Sequence, residues 1–121
     1  MEKKRFIVEL GCGMDLHGMD ATKAACRAVR DAVGRSCLCG LIEILGRNNF
    51  EGVLIDVLVA CPFPEQVDSA RVLAELPVGT PGIRTVQGGM LTKGICVNEF
   101  GEGCSSILVA NAAVTVFVEI A

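Results

Sequence analysis

The sequence predicts an α+β fold, a single domain over residues 1–121 built as a two-layer α/β sandwich in the order β-α-β-α-β-β. Three observations predict it. Runs of alternating or continuous aliphatic and β-branched residues recur at Lys4–Leu10, Val53–Cys61, Ile83–Gln87 and Ser106–Ile120. Helical periodicity fills intervals between them. The 121 residues, 51% hydrophobic and 21% charged, suffice for one core without disulfide or metal staples.

In Lys4–Leu10, Phe6, Val8 and Leu10 alternate with Ile7 and Glu9, which predicts a short strand. It ends at a glycine-rich break, Gly11-Cys12-Gly13-Met14-Asp15-Leu16-His17-Gly18-Met19. A helix follows, with Ala21, Ala24, Ala25, Ala28, Val29, Ala32 and Val33 on one side and Lys23, Arg27, Arg30 and Asp31 on the other. Asp20 is its natural N-cap, with Thr22 the competitor, and Gly34 ends it. Because the apolar stripe is mostly alanine, this helix is expected to lie close on a sheet.

Ser36–Leu45 reads as a second helical segment, capped by Ser36, with Leu38, Leu41, Ile42 and Leu45 on one face and a stop at Gly46. After a turn over Arg47–Gly52, Val53–Cys61 reads as a strand, with Val53, Ile55, Val57 and Val59 pointing one way and Asp56 the other. Pro62 and Pro64 close it. Val67, Ala70, Leu73, Ala74 and Leu76 predict a short helix capped by Asp68 and halted by Pro77. Gly79–Gly82 is expected to turn into a strand over Ile83–Gln87 that runs into Gly88-Gly89, and Met90–Val97 either continues it or forms a separate piece. Asn98–Cys104 reads as a loop, and Ser106–Ile120 as the longest strand.

With helices on one sheet face, the other face is left with Glu9, Asp56, Thr115 and Glu119 among many aliphatics, and no sequence remains to cover it. Copies of the chain are therefore expected to cover it for each other.

A net charge of −3 and the absence of Trp and Tyr argue against nucleic-acid binding, which needs clustered cations and stacking platforms. The longest apolar stretch, Ile107–Val118, is interrupted by Asn111 and Thr115 and is too short to span a membrane. The basic start Met1–Arg5 leads into an apolar run cut by Glu9, which is no signal-peptide core, so a cytoplasmic protein is expected. Seven cysteines, an odd number, read as buried small hydrophobes or thiols and not as a disulfide framework. Cys37 and Cys39 lack a second pair at zinc spacing.

The segment that reads as a site is Asp15-Leu16-His17-Gly18, between the first strand and the first helix, where α/β proteins place ligands. His17 is the chain's only histidine, and a carboxylate two residues away sets up acid/base chemistry near neutrality. Asp20 adds a third polar group within one turn. The competing reading is architectural: an Asx-turn at Asp15, positive φ at Gly11, Gly13 and Gly18, and a carbonyl partner for His17. Asp15, His17 and Asp20 are too few to close a metal site, so no metal is assigned. The glycine register is not that of a dinucleotide fingerprint. Lys93 with Ser105 or Ser106 forms a conceivable Ser-Lys nucleophile pair, against ordinary loop residues. Asn111 interrupts an aliphatic strand and either orients a site or satisfies backbone across an interface. Cys12 is either a nucleophile beside His17 or a small buried residue.

The stretch Gly11–Gly18 resembles the GxGxDxHG signature of a small family of conserved hypothetical proteins first described from Listeria. Thr22–Ala25, Ala28–Ala32, Cys37–Leu41, Gly88–Met90 and Val109–Val116 extend the resemblance over nearly the whole chain. What it implies is motif positions, not a reaction. The element order also resembles the trimeric chorismate-mutase-like and YjgF-like folds and single repeats of cyanuric acid hydrolase and barbiturase. That likeness implies a homotrimer packed sheet to sheet, with sites at subunit clefts. It does not carry catalysis, because neither Arg71 and Arg84 nor the Ser-Lys candidates align with those enzymes' motifs.

Two functions follow as expectations. The first is an enzyme in which Asp15 orients His17 for acid/base chemistry, such as cyclic amide hydrolysis, on a small polar metabolite at an intersubunit cleft. Gly11, Gly13, Gly18, Asp20, Lys93 and Asn111 would then complete the ligand pocket. The second is a non-catalytic trimer that binds a small ligand or metal through the same loop. Neither assigns a cofactor.

Overall fold

A computed structural model describes residues 2–76, 79–97, 99 and 105–120. The elements are β1 (Glu2–Asp15), α1 (Ala21–Val33), α2 (Cys39–Glu43), β2 (Leu54–Cys61), a 3-10 turn (Pro64–Gln66), α3 (Ser69–Leu73), β3 (Thr80–Gln87), β4 (Met90–Lys93) and β5 (Ser106–Ile120). They form one mixed sheet in the order β1-β5-β2-β3, with β4 also paired to β5. β5 is antiparallel to β1 along its whole length and to β2 over Leu54–Ala60, while β2 and β3 run parallel. The helices cover one sheet face, and the core lies between.

That core is small-residue packing. Ala24, Ala25, Ala28 and Val29 of α1 are wholly buried, as are Val57 and Val59 of β2 and Leu108 and Ala110 of β5. Asp20 caps α1 by accepting from the Lys23 amide, and Gly34 closes it, as the sequence predicts. Thr22 does not cap. Its hydroxyl donates to the Gln66 carbonyl and accepts from the Asp68 amide, tying α1 to the turn before α3.

The glycine-rich break is not a break: β1 continues through it to Asp15. Gly11 and Gly13 lie beneath α1, where a Cβ on Gly11 would run into the backbone of Ala28 and Ala32, and one on Gly13 into that of Ala24 and Ala28. A two-residue step along a strand advances about 6.8 Å and a four-residue step along a helix about 6 Å. Gly11 and Gly13 therefore match the Ala24, Ala28 and Ala32 stripe rung for rung.

The same match covers the free edge of β1 over Leu10–Met14. Arg35 donates to the Leu10 carbonyl (2.6 Å), Asp31 accepts from the Cys12 amide (2.9 Å) and Arg27 donates to the Met14 carbonyl (2.7 Å). A strand edge with its outward polar groups already satisfied is a poor template for pairing with another chain.

Seating the helix on glycine inverts β1. Glu9, Gly13 and Asp15 face the helix, whereas Val8 (45% exposed), Leu10 (66%) and Met14 (40%) face away. Glu9 thus sits on the covered face, opposite to Asp56, Thr115 and Glu119, with which the sequence reading grouped it. The uncovered face grades from a polar end, with Lys3, Glu119 and Asp56, to a mostly apolar end at Leu10, Met14, Leu58, Val86, Met90 and Val109, where Arg84 beside Leu58 and Asn111 beside Cys12 are the polar exceptions.

Two further boundaries differ from expectation, and the alternatives for Met90–Val97 are decided. α2 is confined to Cys39–Glu43 without a side-chain cap, because only Gly40 and Leu41 are buried and Ile42, Ile44 and Leu45 stay exposed. β3 starts at Thr80, within the expected turn, and includes Pro81. β3 is an edge strand, and an edge tolerates proline's missing amide. Met90–Lys93 is a separate strand. Pro77 and most of the expected loop 98–104 lie outside the described residues.

Candidate functional site

The loop between β1 and α1 is built around Asp15. Its side chain is 5% exposed on the helix face, and Oδ2 accepts from the Asp20 amide at 2.9 Å. Asp20 in turn caps α1. A Cβ on Gly18 would lie 2.9 Å from Asp15 Oδ2, so a larger residue there would push that carboxylate from its bond to the Asp20 amide. Met19 completes the bend with φ of 54°, a left-handed conformation that costs a non-glycine residue about 1 kcal/mol. The Asp15 carboxylate is committed to shaping this loop. Asp15→Ala should therefore cost about 1.5–3 kcal/mol in urea unfolding, and Asp15→Asn, which keeps an acceptor, clearly less.

The loop holds His17 half-buried beside a recess of about 270 Å³ lined also by Leu16, Gly94, Ile95 and Ile107. Ile107 belongs to the uncovered sheet face, so the recess opens at that face's apolar end. The remaining expected site residues divide between the two sides of the sheet. Leu91, Leu108 and Asp15 form one row across β4, β5 and β1, and Lys93 lies one step beyond it, opposite Ser106. Asn111 is exposed on the other face, between Cys12 and Ala60, and does not meet Asp15. Gly11 and Gly13 seat α1, and the close approach of that helix accounts for glycine at both positions. Among the described residues no three His, Cys, Asp or Glu side chains gather as a metal site.

Cys26 and Cys61 are buried free thiols, and burial pushes both above the usual thiol range. Cys12, Cys37 and Cys39 are free and exposed. Cys96 departs from the expectation of thiols throughout, because it is disulfide-bonded.

One residue that the sequence reading passed over stands out. Glu9 is 7% exposed on the helix side of β1 and lines a cavity of about 200 Å³ whose walls are otherwise mostly aliphatic and aromatic. Its signal in the sequence was a charge two residues before Gly11, in the half of the β1 alternation that contains Gly11, Gly13 and Asp15.

Residues 5–116 match a family described as Conserved hypothetical protein (Lin0512_fam). The chain belongs to this family. A crystal structure of an FtsZ-like protein of unknown function from Nostoc punctiforme PCC 73102 shares 42% identity with it, with a TM-score of 0.88 and 99% of each chain covered. No functionally curated protein matches. In this Lin0512 family member the GxGxDxHG stretch is largely architectural: Gly11 and Gly13 seat the helix, Asp15 fastens the loop and Gly18 makes room for Asp15. His17 is the signature position whose side chain is presented to a recess. No helix of the described residues is long and apolar enough to cross a membrane.

Proposed function

We propose that the protein is a self-associating subunit, three copies to an assembly, that binds a small molecule at the subunit boundary through the His17 recess. The observation that carries this reading is the uncovered sheet face. Val8, Leu10, Met14, Val86 and Met90 are each 39% exposed or more on it, although the same sheet buries its opposite face almost completely. A face with this many exposed aliphatic side chains is the kind of surface that marks a protein–protein contact. The grading from polar to apolar along the face gives a second copy one preferred orientation, and over Leu10–Met14 the β1 edge is already occupied by Arg27, Asp31 and Arg35, so packing through the face is the route favoured there.

The recess beside His17 borders this face through Ile107, which puts a neighbouring copy within reach of it. Binding is the reading put first because the lining around His17 is mostly aliphatic, with Leu16, Ile95 and Ile107, which suits holding a small molecule. Native mass spectrometry of the purified protein tests the reading. A trimer carrying a small adduct that His17→Ala loses, with subunit number unchanged, is the expected result; turnover of a metabolite that depends on His17 would instead favour the enzyme.

A further inference from the structure

We infer that the cavity behind Glu9 is a second ligand site, for a small primary amine with a compact apolar body. It lies on the helix side of the sheet and is independent of the assembly proposed above. The Glu9 side chain is more than nine-tenths buried, and among the described residues no hydrogen bond or ion pair reaches its carboxylate. The carboxylate borders the cavity itself, so a bound cation with N–H donors meets an acceptor that no protein group already occupies, inside walls that are otherwise largely apolar. Every other strand position that faces α1 near it is filled apolar, as at Val114 and Val116, so the fold itself requires no charge there.

The walls define the rest of the ligand. Val33, Leu38, Phe50 and Leu76 offer an apolar body its contacts, and Ser36, exposed at the rim, is the one other polar side chain in the lining. An ammonium group suits Glu9 through charge-assisted hydrogen bonds, and an aromatic wall tolerates a neighbouring cation. A phosphate or carboxylate ligand meets only a like charge, and a sugar finds too few polar partners. A dry cavity of about 150 Å³ accepts benzene. At about 200 Å³ this one accommodates an aromatic ring bearing a short aminoalkyl arm.

The probe is 2-phenylethylamine, titrated calorimetrically into the full chain and followed by methyl NMR. Saturable binding with Kd on the order of 0.1–1 mM is expected for a ligand of this size. The shifts should move at Val33, Leu38 and Leu76. Phenylacetate, the same ring with the opposite charge, should not bind. Glu9→Gln, which keeps shape and removes charge, should weaken the amine by roughly tenfold or more. No saturable binding, equal affinity for phenylacetate, undiminished affinity in Glu9→Gln, or shifts confined to other residues would overturn the assignment. If Glu9→Gln fails to fold, the wild-type shift map and the charge comparison still decide it.

Discussion

Gly13→Ala should be among the most damaging single-methyl changes in this protein, with a loss of about 3 kcal/mol and a melting temperature lower by roughly 10 °C. The added Cβ would point into the backbone of α1, with the Arg27 carbonyl carbon only 2.6 Å away as well. Backbone cannot change rotamer, so the whole helix must lift. Lifting it loosens the contacts of Ala24 and Ala28, both wholly buried, and stretches the hydrogen bonds by which Arg27, Asp31 and Arg35 cover the β1 edge. Gly82→Ala is the control, since nothing lies within 4 Å of that Cβ, and should change stability by no more than about 0.5 kcal/mol. Differential scanning calorimetry of the pair reads both values. Equal melting temperatures would mean that the helix does not sit on the glycines as described.

Leu10→Glu should dissociate the assembly without unfolding the subunit. Leu10 is 66% exposed and projects from the uncovered face on its edge strand β1, beside Ala113 and, across it, Leu58. In an isolated subunit a glutamate there is solvated and nearly neutral for stability. Between two packed faces it is a buried charge without a partner, which costs several kcal/mol per contact and shifts association by orders of magnitude. Ile44→Glu is the matched control: Ile44 is 81% exposed but follows α2, away from that face. Size-exclusion chromatography with light scattering should show monomers for Leu10→Glu and the wild-type mass for Ile44→Glu.

The parts of the fold that were legible are those whose side chains announce their surroundings. The alanine stripe and Asp20 cap located α1 to the residue, and the β-branched run located β5 from Ser106 to Ile120. The burial alternation of β2 follows Val53, Ile55, Val57 and Val59 as read. What misled was glycine. Spaced glycines ordinarily punctuate a chain, yet inside a strand they mark close approach of another backbone, and only the packed helix distinguishes the two. Reading Gly11 and Gly13 as loop also hid which side of β1 is covered, and with it the burial of Glu9. The same physics explains why α2 is short: Ile42 and Leu45 have helical spacing but find nothing to pack against, and spacing without burial does not extend a helix.

At the candidate site, the sequence located the loop, its carboxylate and its histidine. It could not say that Asp15 accepts from the Asp20 amide and so helps shape the loop, because that bond depends on how the chain bends at Met19.

Sedimentation equilibrium of the wild-type protein over a wide concentration range is the most direct test of the uncovered face as an assembly surface. A closed oligomer with three times the chain mass, persisting into the low micromolar range, is the predicted result. A single monomeric species at every concentration would contradict it, and would leave Val8, Leu10, Met14 and Met90 as a surface for something other than this chain.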